Sequence, residues 1–268
     1  MESATYKKEY SFTEILSCAW KIFRENAAAI ITLALLIAIP VNIINLMAEK
    51  AFAVPGMDDP SLSPEEQIDY VSSNLGQIVY SFLVLFLVEI GLAFIGLLST
   101  MAMAHYVRSL IDGKKTGILD AYLKALSRWP AAIWTNILMV IFLIPLFLLF
   151  IIPGIIYLVY WFFAIYAVAL SNKTGKEALN HSKKIVKNRW WTVFGYNILY
   201  GILGFLISIP IIILFGVLRW MSGDPLSGFA IELTYNAILA AIGSFFAVVQ
   251  VVFYLNYEST MGDAKKTH

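Results

Sequence analysis

Apolar residues run along this chain in six long stretches, at roughly residues 27–47, 77–107, 131–152, 154–171, 192–217 and 229–257. A helix needs about 20 mainly apolar residues to cross about 30 Å of hydrocarbon, so each stretch predicts a membrane span. Only Pro153-Gly154 separates the third stretch from the fourth. Left unbroken, the two would make one helix about twice too long, which predicts a turn at that pair.

A different periodicity precedes the first, third and fifth stretches. Phe12, Ile15, Leu16, Ala19, Ile22 and Phe23 share one helical face, opposite Glu14, Lys21, Arg24 and Glu25. Ile118, Leu119, Tyr122, Leu123 and Leu126 oppose Asp120, Lys124 and Arg128. Ala178, Leu179, Ser182, Ile185 and Val186 oppose Lys176, Asn180, Lys183, Lys184 and Lys187. Each segment has the spacing of an amphipathic helix lying in the headgroup layer. Ser11-Phe12-Thr13-Glu14 predicts a capping box at the start of the first. Lys115-Thr116-Gly117 and Lys173-Thr174-Gly175 open the other two. Ile39-Pro40, Ile144-Pro145 and Ile209-Pro210 recur late in the spans that follow, predicting a kink in each. The chain therefore predicts three parallel repeat units, at about 11–111, 115–171 and 175–260. Trp20, Trp129, Trp190 and Trp191 fall near the junctions, at the depth indole favours.

Composition agrees with lipid as part of the solvent. Of 268 residues, 60% are hydrophobic and 14% charged, against about 25% charged in an ordinary soluble domain. Residues 1–10 do not read as a cleavable leader, so the first span is expected to stay in the mature protein. The net charge of +1 gives no global pull toward nucleic acid. Local charge says more. Seventeen of the nineteen basic residues fall on one side of the six-span arrangement, leaving Lys50 and Arg219 for the other. The positive-inside rule then places both termini in the cytoplasm of a cell (inner) membrane protein. The largest outer segment, residues 49–76, is acidic. Its turn residues are Pro55-Gly56 and Asp59-Pro60, and Ser63-Pro64-Glu65-Glu66 predicts the capped start of a short helix.

Several short motifs carry a family resemblance: Trp20 with Asn26, Ile152-Pro153-Gly154, Glu177-Ala178-Leu179-Asn180-His181-Ser182 leading to Trp190-Trp191, and Tyr254 to Tyr257. Over nearly its whole length the chain resembles the bacterial and archaeal six-span family that includes the membrane domain of glycerophosphoryl diester phosphodiesterases and related inner-membrane proteins. In fused members of that family a separate soluble domain carries the phosphodiesterase chemistry. No such domain is visible here, so the resemblance implies the fold and not that activity.

Candidate chemistry is sparse. Glu89 lies 19 residues from Arg108, about 28 Å along a helix and so near the outer boundary. Glu232 lies 25 residues before Tyr257, which puts it at or beyond the outer rim. Both are candidates for lining an outer mouth, or they simply meet water. Asn42, Asn45, Asn136, Asn197 and Asn236 are candidates for a polar cavity, with bonding between helices as the alternative. Lys21, Arg24, Lys124, Arg128, Lys183, Lys184 and Lys187 form a candidate cytoplasmic collar for anionic lipid headgroups, with simple anchoring of the hairpins as the alternative. Cys18 is the only cysteine, and His105, His181 and His268 are far apart. No metal, cofactor or catalytic group is expected, since nucleophile-elbow, Walker A, paired-aspartate and zinc-helix motifs are all missing.

The expected fold is therefore all-α: one membrane domain of three pseudo-repeated hairpins, each preceded by a cytoplasmic in-plane helix. The expected function is non-catalytic, binding or moving a lipid or other amphiphile or supporting envelope lipid handling. A small-molecule transporter or exporter and a scaffold for a partner protein are the alternatives.

Overall fold

A computed structural model of the protein describes residues 8–54, 63–114 and 116–261. Pro55-Gly56, Asp59-Pro60, Lys115, Lys265, Lys266 and His268 lie outside them. The described residues form helices only: α1 (Phe12–Ala51), α2 (Pro64–Ser73), α3 (Leu75–Ile111), α4 (Ile118–Leu149), α5 (Ile151–Tyr160), α6 (Ala164–Leu170), α7 (Lys176–Val186), α8 (Trp190–Met221) and α9 (Pro225–Ser259). Among them, α1, α3, α4, the α5–α6 pair, α8 and α9 are long and apolar enough to cross a bilayer. This is a multi-pass, all-α membrane protein, with α2 and α7 as two shorter non-membrane helices.

Local sequence explains most boundaries. Both capping boxes form. The Ser11 hydroxyl accepts from the Glu14 amide while the Glu14 carboxylate accepts from the Ser11 amide, and Ser63 and Glu66 repeat the exchange with Pro64 at the first helical position. In α1 the backbone leaves helical geometry at Asn26 (φ −131°, ψ 19°). The Asn26 amide group donates to the Ile22 carbonyl at 3.0 Å, taking up an acceptor that the kink would otherwise bare.

The break between the third and fourth stretches is not at Pro153-Gly154. Phe150 is extended (φ −153°, ψ 113°) and α5 starts at Ile151, so Pro153 falls in a first turn, where its missing amide removes no hydrogen bond. Gly154 is needed for approach instead: a Cβ there would sit 2.6 Å from the Phe147 ring. The fourth stretch also breaks again at Trp161–Phe163, between α5 and α6. Ser182 of α7 holds that break, accepting from the Phe163 amide at 3.1 Å and donating to the Tyr160 carbonyl at 2.7 Å.

The three amphipathic segments meet three fates. The first is set off from its span by the Asn26 kink, the second runs unbroken into α4, and the third is the separate helix α7. On α7 the apolar face is buried, whereas Leu119, Leu123 and Leu126 of α4 are exposed. The paired Lys-Thr-Gly openings differ too: Gly117 is extended (φ −73°), while Gly175 takes φ +54°, ψ −131°. The prolines Pro40, Pro145 and Pro210 all lie inside helices.

Helix pairings run α1–α3–α4–α5–α8–α9, and α9 returns to α1, closing a ring. Burial concentrates at the end bearing Lys173, Lys176 and Lys183, called the basic end here. Tyr254, Tyr257, Phe163, Phe253 and Ile15 are fully buried there, with Phe163 edge-on to Phe253 at 5.1 Å. Since lipid tails are as apolar as leucine, helices in a bilayer associate through packing and hydrogen bonds rather than hydrophobic drive. Three side chains supply such bonds: Tyr122 to the Leu33 carbonyl, Trp129 to that of Phe94 and Trp190 to that of Ile156. Trp20 instead packs edge-on against Phe245 of α9.

Candidate functional site

The basic end gathers polar side chains from α6, α7 and α9. The Glu258 carboxylate accepts from Tyr254 at 2.8 Å and from Ser171, and its same oxygen lies 2.8 Å from His181 Nε2. Ser171 and Tyr254 hydroxyls also meet at 2.6 Å. The serine thus faces a carboxylate rather than the histidine, and both groups meet the same Glu258 oxygen. What the cluster does chemically is tie α7 and the loop after α6 to the last turn of α9. Arg189 extends the tie, pairing with Glu9 at 3.1 Å, donating to Thr260 and stacking on Tyr257.

A second polar joint seats the loop before α7 on α4. Arg128 donates to the Lys173 carbonyl at 3.1 Å and the Gly175 amide donates to Thr135 at 2.8 Å. Lys173 binds Glu177 at 2.5 Å, and this ammonium holds the Glu177 carboxyl below its ordinary range. Together these contacts fix α7 across the α4–α5 hairpin.

Beneath α7 lies a crevice of about 470 Å³. Phe142, Pro145, Leu146, Leu149, Tyr157, Trp161 and Leu179 wall it, and Lys176 and Asn180 stand at it as its polar groups. Lys176 makes no ion pair among the described residues. Lys183 lies two turns further along the same face of α7, its ammonium 4.9 Å from the Tyr157 ring and 5.4 Å from that of Tyr160. The crevice is thus an apolar slot with one cation, Lys176, in its lining.

The residues singled out from sequence land in different places. Of the seven collar cations, Arg128 and Lys183 turn toward the protein, while Lys21, Arg24, Lys124, Lys184 and Lys187 are exposed. Glu89 is exposed on α3. Glu232 lines a cavity of about 290 Å³ between α8 and α9, with Arg219 and Tyr235. Asn42 bonds its own helix at the Ala38 carbonyl, and Asn45 reaches Glu49. Asn197 donates to the Val193 carbonyl, accepts from Gln250 and lines a cavity of about 270 Å³ between α5 and α8. Asn136 and Asn236 are half-buried. A fourth cavity, of about 210 Å³, lies where Thr100, Ala240 and Ser244 meet between α1, α3 and α9. Of the five asparagines, Asn197 alone lines any of these four cavities.

Sequence reasoning missed the Ser171–Tyr254–Glu258 contacts and the joint at Asn256. The single available signal was a run of polar atoms, Tyr254, Asn256, Tyr257 and Glu258, closing an otherwise apolar helix. No group of three or more metal-ligating side chains forms among the described residues. No curated protein and no solved structure matches the chain. A family model does match, over residues 12–258, and by that match the chain belongs to the family described as a domain of unknown function (DUF7847).

Proposed function

We propose that this is a non-catalytic integral membrane protein that binds or moves a lipid or another amphiphile. The crevice under α7 carries the reading, because its walls suit an acyl chain and Lys176, with Asn180, suits an anionic headgroup at one end. The five exposed cations at the same end favour anionic lipid around it. In this reading the basic end and both termini face the cytoplasm.

The threefold repeat belongs to the same proposal. Trp129 and Trp190 each bond the return helix of the preceding unit, α3 and α5, and Trp20 closes the cycle on α9. The resemblance to the membrane domain of glycerophosphoryl diester phosphodiesterases adds an association with lipid-derived substrates, and no activity is carried over from it. A small-molecule transporter is the second reading, and the Arg219–Glu232 cavity between α8 and α9 favours it.

Native mass spectrometry of the protein released from its own membrane tests the proposal. A lipid or other amphiphile retained at fixed stoichiometry, and lost in Lys176→Glu, supports it. A bare wild-type protein overturns it, and solute uptake into proteoliposomes would then favour the transporter. Cysteines replacing Asp69 and Lys184, in a background lacking Cys18, should label from opposite sides of the membrane.

A further inference from the structure

No Asp, Glu, Lys, Arg or His occurs between Arg128 and Lys173. The turn joining α4 to α5 falls in the middle of that run and is apolar throughout. Leu148 is 81% exposed and Ile152 73%, with Leu149, Phe150 and Ile151 between them also exposed. The other hairpins end differently. Glu49 and Lys50 close α1, while Arg219, Ser222 and Asp224 stand between the bodies of α8 and α9. A turn that projected into water at the far side would need polar side chains of that kind.

Depth markers agree. The Trp190 indole, directly after Lys187-Asn188-Arg189 at the start of α8, donates to the Ile156 carbonyl at 3.1 Å. Ile156 is five residues from Ile151, so the tip lies about 7.5 Å beyond that level along α5. Lys183 lies over Tyr157, six residues or about 9 Å from the same tip. Arg128 of α4 meets the Lys173 carbonyl after α6, and Leu146 and Leu149 at the other end of α4 line the same crevice as Lys176 and Asn180 of α7. The 21 residues from Arg128 to Leu149, about 32 Å of helix, therefore run obliquely past α7 and not straight away from it. His181 and Glu258 pin α7 to the last turn of α9, so α7 sits at the basic end and not at the bilayer midplane. By contrast, α8 extends 29 residues from Trp190 to Arg219, about 43 Å. A tip within about 10 Å of the headgroup level falls well short of a 30 Å core. Phe150 is compatible with such a place, since its amide bonds the Leu146 carbonyl and its carbonyl accepts from Gly154.

We infer that the α4–α5 hairpin enters the bilayer from the basic end and turns back within it, so that Leu148–Ile152 is a surface for the acyl chains of that one leaflet. Four of the six apolar segments then cross, α1, α3, α8 and α9, and the sidedness of both termini is unchanged. The inference is independent of lipid binding in the crevice, because it concerns depth and not occupancy.

Single cysteines at Ile151, at Ser222 and at Lys184, in the full-length Cys18→Ser protein in membranes, test it with an impermeant maleimide added from either side. Burial in hydrocarbon raises a thiol's pKa, and each unit removes about nine-tenths of the reactive thiolate. Ile151→Cys is expected to label at least about tenfold more slowly than Ser222→Cys from the far side, and than Lys184→Cys from the basic side. Labelling of Ile151→Cys from the far side at a rate like that of Ser222→Cys overturns the inference. A nitroxide on Leu148→Cys gives a second measure. It is expected to collide with oxygen in preference to a water-soluble nickel chelate, and ready collision with the chelate would sink the idea.

Discussion

Asn256 and Tyr10, 246 positions apart, are joined by a hydrogen bond of 2.9 Å from the Tyr10 amide to the Asn256 side-chain oxygen. The Asn256 amide group answers with a 2.9 Å bond to the Lys8 carbonyl. One fully buried asparagine thus offers the segment before α1 an acceptor and a donor, as a neighbouring strand would. The last turns of α9 hold the segment just before α1 in place.

Asn256→Leu should therefore leave the Tyr10 amide and the Lys8 carbonyl without these partners. A stability loss of about 1–3 kcal/mol is expected, since two hydrogen bonds worth about 0.5–1.5 kcal/mol each are lost. Thermal unfolding in detergent reads the loss. Limited proteolysis should locate it, with cleavage before Phe12 appearing in the variant alone.

Gly175→Ala combines two faults. The backbone at φ +54°, ψ −131° disfavours any side chain, and a Cβ would stand 3.2 Å from the Trp134 indole nitrogen. A loss of about 1–3 kcal/mol follows from the backbone alone. Gly117→Ala in the matching tripeptide keeps an ordinary φ of −73° and should cost clearly less. Equal melting shifts for the two would contradict the difference in conformation.

Ser182→Ala removes the hydroxyl that bridges the α5–α6 break. The buried Phe163 amide then loses its acceptor, for an expected cost of about 1–3 kcal/mol. Ser182→Gly should be worse, because it also loosens α7. Hydrogen exchange at Phe163 should quicken in both variants well before global unfolding.

Asp224 gives a pH dependence with a definite sign. Its carboxylate caps α9, accepting from the Leu226 and Ser227 amides at 2.9 Å and from the Ser227 hydroxyl at 2.6 Å. The Ser227 hydroxyl, first, and then the Ser227 amide hold its pKa below the ordinary value. A depressed carboxylate stabilises the folded state above the unfolded-chain pKa, about 3.9, and that contribution is lost as pH falls through the folded pKa. In Ser227→Ala an NMR titration of Asp224 should move upward toward the ordinary value, and Asp224→Asn should make the cap insensitive to acid.

Part of the candidate site was legible beforehand. The buried positions Ala178, Leu179, Ser182, Ile185 and Val186 of α7 were those its periodicity set on one face. Periodicity reports that a face is covered and is silent on what covers it. It could not pair Ser182 with the broken backbone at Trp161–Phe163, nor His181 with Glu258, because those partners lie 19 to 77 positions away. Nor could it separate Lys176 beside an apolar crevice from Lys184 in solvent, since both are lysines on the polar face of one helix.

By itself the sequence determined that the protein is helical and lies in a membrane, where its six apolar stretches run, and where its capped helices begin at Ser11 and Ser63. These follow from local chemistry: hydrocarbon demands internally satisfied backbone, and caps act within three residues. Tertiary structure alone decided that three similar amphipathic segments become a kinked arm, an unbroken extension and a separate helix. It alone brought Lys176 and Asn180 to an apolar slot formed by α4 and α5. The physical reason is range. A hydrogen bond or a packed ring depends on what arrives from elsewhere in the chain, and no local pattern records that arrival.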